Sequence, residues 1–117
     1  MSITLLTDDE ILAIAIPMID AVVKASNGKD WDAFCVYQTK EEAEDPENKA
    51  GVIKAWEEFD LFSSLTLERQ ILGVLRNEDI AQIVWKQTST KVEGEYLARY
   101  FITEIDKEIK EVGFVIN

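Results

Sequence analysis

Arg69 is the residue whose placement most invites chemistry. It stands between Leu67 and Ile71 in an alternating run, on the parity that should face inwards. A guanidinium taken out of water needs a carboxylate or a ligand group beside it, and its planar fork suits an anionic or carbonyl group. The competing expectation is a sheet edge, or a bulge that reverses the register and leaves Arg69 in solvent. Trp56, Trp85 and Tyr100 are the aromatic residues best spaced to wall a space beside it, and each also serves as ordinary core packing. These four are the candidate ligand-binding residues.

Proton transfer next to a carbonyl is the alternative chemistry. Its candidates are an acid such as Asp32 with Tyr37, Tyr96 or Tyr100, and it predicts a desolvated carboxyl with a raised pKa facing a cavity. The chain has no histidine and one cysteine. Cys35 falls in an apolar stretch with no imidazole to take its proton, so it reads as a core thiol rather than a nucleophile. The run Glu41, Glu42, Glu44, Asp45 and Glu47 around Pro46 lacks the alternating oxygen ligands and the turn glycine of a calcium loop. It reads as a solvated, mobile connection. No metal, no cofactor and no catalytic residue is assigned.

The elements that must hold these residues fall in two halves. Thr7 and Glu10 have the spacing of a capping box, and Ile11, Leu12, Ala15, Met18, Ile19, Val22 and Val23 follow as one apolar stripe. Pro17 predicts a kink or a second start, and Asn27-Gly28 a left-handed end. Asp30 is a cap for a short second helix carrying Trp31 and Phe34. Pro46 suits the first turn of a third, with Val52, Ile53, Trp56 and Phe59 as its apolar edge.

From Leu65 onwards the spacing changes from three-to-four to two. Leu65, Leu67, Ile71 and Leu75 share the inward parity of the first run. Ile83, Trp85 and Gln87 share a face of the second. The third, Tyr96 to Ile105, is apolar on both parities, which implies a partner surface on the outer side, most simply a second copy. Ile109, Val112, Phe114 and Ile116 mark the last. Turns fall at Asn77-Glu78-Asp79, near Glu93-Gly94 and at Asp106-Lys107-Glu108. Helices first and strands afterwards predict an α+β fold over 1–117 as one domain, three N-terminal helices packed on a curved four-stranded antiparallel meander.

With NGKDWDAF at the second helix and FITEIDKEIKEVGFVI closing the chain, this layout resembles the nuclear transport factor 2-like superfamily, the cone-shaped fold of ketosteroid isomerase and the SnoaL-type polyketide cyclases. The resemblance implies a pocket for small apolar molecules between sheet and helices, and a homodimer formed through the sheet. The enzymes of that superfamily use pocket carboxylates, tyrosines or an Asp-His pair, and none of these maps onto a matching position here.

The formal charge of -11, with 23 acidic against 12 basic residues, disfavours nucleic acid and anionic membrane as partners. The absence of a bilayer-length apolar run and of a signal-type N-terminus, with the single cysteine, predicts a cytoplasmic setting. The function expected is a noncatalytic domain that binds a small, partly apolar ligand and self-associates through its sheet. The alternatives are an isomerase or lyase, or a protein-interaction module without a ligand.

Overall fold

In the computed structural model, which describes residues 2–117, Thr7 starts the first helix as its spacing predicts. Its hydroxyl accepts from the Glu10 amide at 3.2 Å, and the Glu10 carboxylate accepts from the Thr7 amide at 3.0 Å. Helix α1 spans Asp8–Asn27 and is not split at Pro17. An interior proline costs about 3 kcal/mol. Ile11, Ala15, Met18, Ile19, Val22 and Val23, on both sides of Pro17, are buried, and each large apolar side chain contributes about 1.5–3 kcal/mol, so packing outweighs the lost hydrogen bond. The helix ends at Gly28 with φ -84°, and the left-handed residue is Lys29, φ +52°, one position past the pair expected to supply it.

The asparagine has a different task. Asn27 donates from Nδ2 to the Leu65 carbonyl at 2.8 Å and accepts from the Leu65 amide at 2.7 Å, tying the end of α1 to the chain entering the sheet.

Four α-helices are described, where the sequence predicts three. Helix α2 is Trp31–Phe34, capped by Asp30; α3 is Lys40–Glu44 and α4 is Pro46–Glu58. The additional α3 lies in the acidic run read as a mobile connection. It forms because Thr39 accepts from the Glu42 amide at 3.3 Å, Asn48 donates to the Glu42 carbonyl at 2.9 Å, and Glu41 and Glu42 sit at the positive end of the helix dipole. Asp45 then caps α4, with Pro46 in its first turn. Phe59, expected on the apolar edge of α4, stands 54% exposed just past its end. Cys35, expected in the core, is only partly buried; its thiol donates to the Asp32 carbonyl at 3.7 Å, and burial raises its pKa.

Strands β1 (Gln70–Asn77), β2 (Ile80–Gln87), β3 (Tyr96–Ile105) and β4 (Glu108–Ile116) form an antiparallel sheet in the order β1-β2-β3-β4. The β3–β4 turn has both Asp106 and Lys107 at positive φ, the geometry that matches the strand twist in a two-residue hairpin. In β2 the alternation is complete: Ala81, Ile83, Trp85 and Gln87 are fully buried.

β1 departs from the expected parity. It begins at Gln70, after Leu65 has made an isolated bridge to Ser89, and its register shifts between Ile71 and Gly73. The extra residue, Leu72, turns the strand over, so that Val74 rather than Leu75 opposes the inward Ile83. Leu67 and Leu75, both expected inside, are exposed.

β4 has the same device. Its register shifts opposite Phe101 and Ile102: Gly113 pairs with Phe101 and Glu111 with Ile102, leaving Val112 as the extra residue. Phe114 and Ile116 face inwards opposite Tyr100 and Ala98, as expected, but beyond the bulge the inward position belongs to Glu111 instead of Val112.

Candidate functional site

Where α1, α2, α4 and the end of β4 converge, a cavity of about 150 Å³ opens. Its walls are Phe34, Val52, Ala55, Trp56, Phe62, Phe114 and Ile116, with one hydroxyl, that of Ser26. Ser26 is at the edge of the apolar stripe of α1, and its hydroxyl is already engaged. It donates to the Phe62 carbonyl and accepts from Trp56 Nε1 at 3.0 Å. That pair of bonds ties the indole to α1, and Phe34 meets its ring edge-on at 5.3 Å. The cavity is therefore a rigid, aromatic and almost wholly apolar space.

Of the four candidate binding residues, Trp56 lies on the cavity wall, and the other three stand behind it. Phe114 connects them: its ring stacks on Trp85 at 6.0 Å and meets Tyr100 edge-on at 5.7 Å. Trp85 and Tyr100 are fully buried beneath it. Arg69 is on the far side of Trp85, its Cζ 5.9 Å from the indole centroid. Its side chain is only 6% exposed and its Nη1 lies 2.7 Å from Asp20 Oδ1 on α1. Arg69 thus faces inwards, and a carboxylate meets it there. Its Nε and Nη2 are buried without a hydrogen-bond partner.

Gln87 closes this side. Its carbonyl accepts from Trp85 Nε1 at 2.9 Å and its amide donates to the carbonyls of Thr66 and Thr88, both at 2.9 Å. All of its polar atoms are satisfied, so Gln87 is a brace for Trp85 and for the segment entering β1.

The residue that sequence reasoning missed is Glu111. The Val112 bulge turns it inwards, where it is 5% exposed, and its Oε1 has no hydrogen-bond partner. The segment between α2 and α3 covers it: the Glu111 amide donates to the Tyr37 carbonyl at 2.7 Å, and Gln38 bridges to the same residue. Loss of water raises the Glu111 carboxyl to about 7, offset in part by the facing Tyr100 hydroxyl and reinforced by Glu42. Burial and the Glu111 charge push the Tyr100 hydroxyl upwards as well, so it stays protonated. Tyr100 Oη and the Glu111 carboxyl face one another and have no other hydrogen-bond partner. One signal for the inward glutamate was present in the sequence. Ile109 and Phe114 are apolar on opposite parities with Gly113 between, and such a break marks a bulge.

What fold and cavity define together is an α+β domain in which the helices and the last strand of a four-stranded antiparallel meander border a small aromatic space. Comparison with protein-family models, with curated proteins and with solved structures returns no match. Among the described residues no helix is long and apolar enough to cross a membrane, and no group of three or more cysteine, aspartate or glutamate side chains could hold a metal ion.

Proposed function

We propose that this chain is a noncatalytic domain of the nuclear transport factor 2-like kind that holds a small, largely apolar molecule between its helices and β4. The observation that carries this reading is the cavity: about 150 Å³, aromatic-walled, with its single hydroxyl already bonded. An apolar space of that size takes a molecule of about one ring. Titration with toluene, followed by amide and indole NMR shifts, tests it. Shifts should concentrate at Trp56 and Phe114, and Ala55→Leu, which fills the space, should abolish them. Toluene shifts that survive Ala55→Leu, or no shifts at saturation, refute the reading.

Binding is better supported than proton transfer. The desolvated acid that proton transfer requires exists in Glu111. The hydroxyl beside it, Tyr100, faces that same carboxyl, and the Arg69 guanidinium is beyond Trp85. Abstraction next to a carbonyl needs a base at the cavity and a separate donor for the developing oxyanion, and among the described residues Glu111 does not line the cavity and no second donor is aimed at it.

Self-association through the outer sheet face is a second element of the reading, and the charge distribution favours it. In a chain with 23 acidic residues, the outward positions along the four strands carry just one, Glu108, which pairs with Lys110 at 3.3 Å. Leu72, Leu75 and Leu97 are exposed on that side, and Phe101 lies against Gly113. Two copies of net charge -11 can approach here without opposing their acids. Sedimentation at micromolar concentration should give a dimer, and Leu97→Glu a monomer. A wild-type monomer removes this element and leaves the cavity reading intact.

A further inference from the structure

Among the described residues Glu111 is the one acid closed off from water, at 5% exposure. The extra residue in β4 puts it there, since strict alternation would have turned Val112 inwards and Glu111 to solvent. An ionised carboxylate has about four lone-pair sites to fill, and the donor that faces this one is the Tyr100 hydroxyl. The other titratable groups around the pair are Glu42 from α3 and Tyr37 from the covering segment, and none is basic. No cation therefore compensates the charge. Either the carboxyl keeps its proton, or water must reach it.

What keeps water away is residues 35–44, and they are lightly seated. Gln38 bridges to Glu111 along the open edge of β4, and the Glu111 amide donates outwards to the Tyr37 carbonyl at 2.7 Å. Asn48 donates to Gln38 Oε1 at 2.9 Å. Gln38 is the one buried residue of the ten: Val36 is exposed and α3 buries nothing. A segment with so few buried apolar contacts opens at a lower free energy than the fold as a whole.

We propose that Glu111 is a pH-operated latch: while it holds its proton, residues 35–44 lie closed over β4, and when the proton passes to solvent the segment lifts and water reaches the carboxylate. With the segment lifted, the carboxyl is hydrated and titrates at its ordinary 4.5; closed, burial raises it to about 7. Closure is favoured in full below 4.5 and is weakened as pH rises through about 7. Those two values multiply the ratio of open to closed by about 70 between pH 5 and pH 8. The latch works whether or not the cavity holds a ligand.

Amide hydrogen exchange of the full chain, resolved by NMR from pH 5 to pH 8 and corrected for the intrinsic pH dependence of exchange, tests this. The Glu111 amide is the reporter, because its hydrogen bond goes to the covering segment. Its protection should fall about 70-fold across that range and stay below that of the Ile83 and Trp85 amides in β2 at every pH. In Glu111→Gln the protection at position 111 should change less than about twofold. If the wild-type Glu111 amide is as protected as those of β2, it opens only when the whole fold does and there is no latch, a comparison that needs no variant. Protection that ignores pH, or that falls equally in Glu111→Gln, overturns the assignment of Glu111 as the trigger.

Discussion

Glu111→Gln should make the protein more stable at neutral pH and remove most of the difference in stability between pH 5 and pH 8. The carboxyl titrates at about 7 in the folded chain against an ordinary value of 4.5, so the folded state holds the proton more tightly. A raised folded-state pKa contributes stability that is fully present below 4.5 and is lost as pH rises through about 7. The shift is about 2.5 units, and at about 1.4 kcal/mol per unit the loss amounts to about 3 kcal/mol by pH 8. Glutamine keeps the shape of the side chain and does not titrate. Urea denaturation followed by tryptophan fluorescence, repeated from pH 5 to pH 8, gives both stability curves. The remaining carboxylates titrate in both proteins, so the difference between the curves isolates Glu111. Between pH 5 and pH 8 that difference should grow by about 2.5 kcal/mol in favour of the variant. Parallel curves would show that the Glu111 carboxyl is solvated in the folded chain, and the reasoning about its burial would be refuted.

Asn27→Ala should cost about 3 kcal/mol, because it leaves the buried Leu65 amide and carbonyl both unpaired; a midpoint in urea within error of wild type would contradict this. Gly113→Ala should cost about 1–2 kcal/mol, since a methyl group there would lie 2.8 Å from Phe101 Cδ1 and force the ring off the strand. Thermal denaturation reads that change, and an unshifted midpoint tells against the close approach. Asp20→Ala should destabilise by about 2 kcal/mol, whereas Arg69→Met should cost less, because the first leaves a buried guanidinium uncompensated and the second removes the charge. The reverse order in a denaturant series would show that Arg69 is held by something other than its carboxylate.

Much of the framework was legible because it depends on neighbours in sequence. The capping box of α1, its apolar stripe, the proline that starts α4, and the two-residue spacing of β2 are local features, and each forms where its residues predict. The change from helical to strand spacing was enough to set helices against an antiparallel meander. Parity by itself left Arg69 open between the interior and a sheet edge or bulge, and Leu67 and Leu75, on the same parity, are exposed. α3 depends on local features too, the Thr39 cap and the acids in its first turn, and the acidic composition of the run reads instead as a mobile connection.

Tertiary structure alone decided the rest, and the reason is register. One extra residue at Leu72 exchanged Leu75 for Val74, and another at Val112 exchanged a valine for Glu111, because a single insertion sends every later side chain to the opposite face. Which carboxylate met Arg69, which hydroxyl held Trp56, and which backbone Asn27 clamped depended on residues far apart in the chain, such as Asp20, Ser26 and Leu65. Spacing along the sequence prescribes which face a side chain takes. Only the packed interior determines what waits for it there.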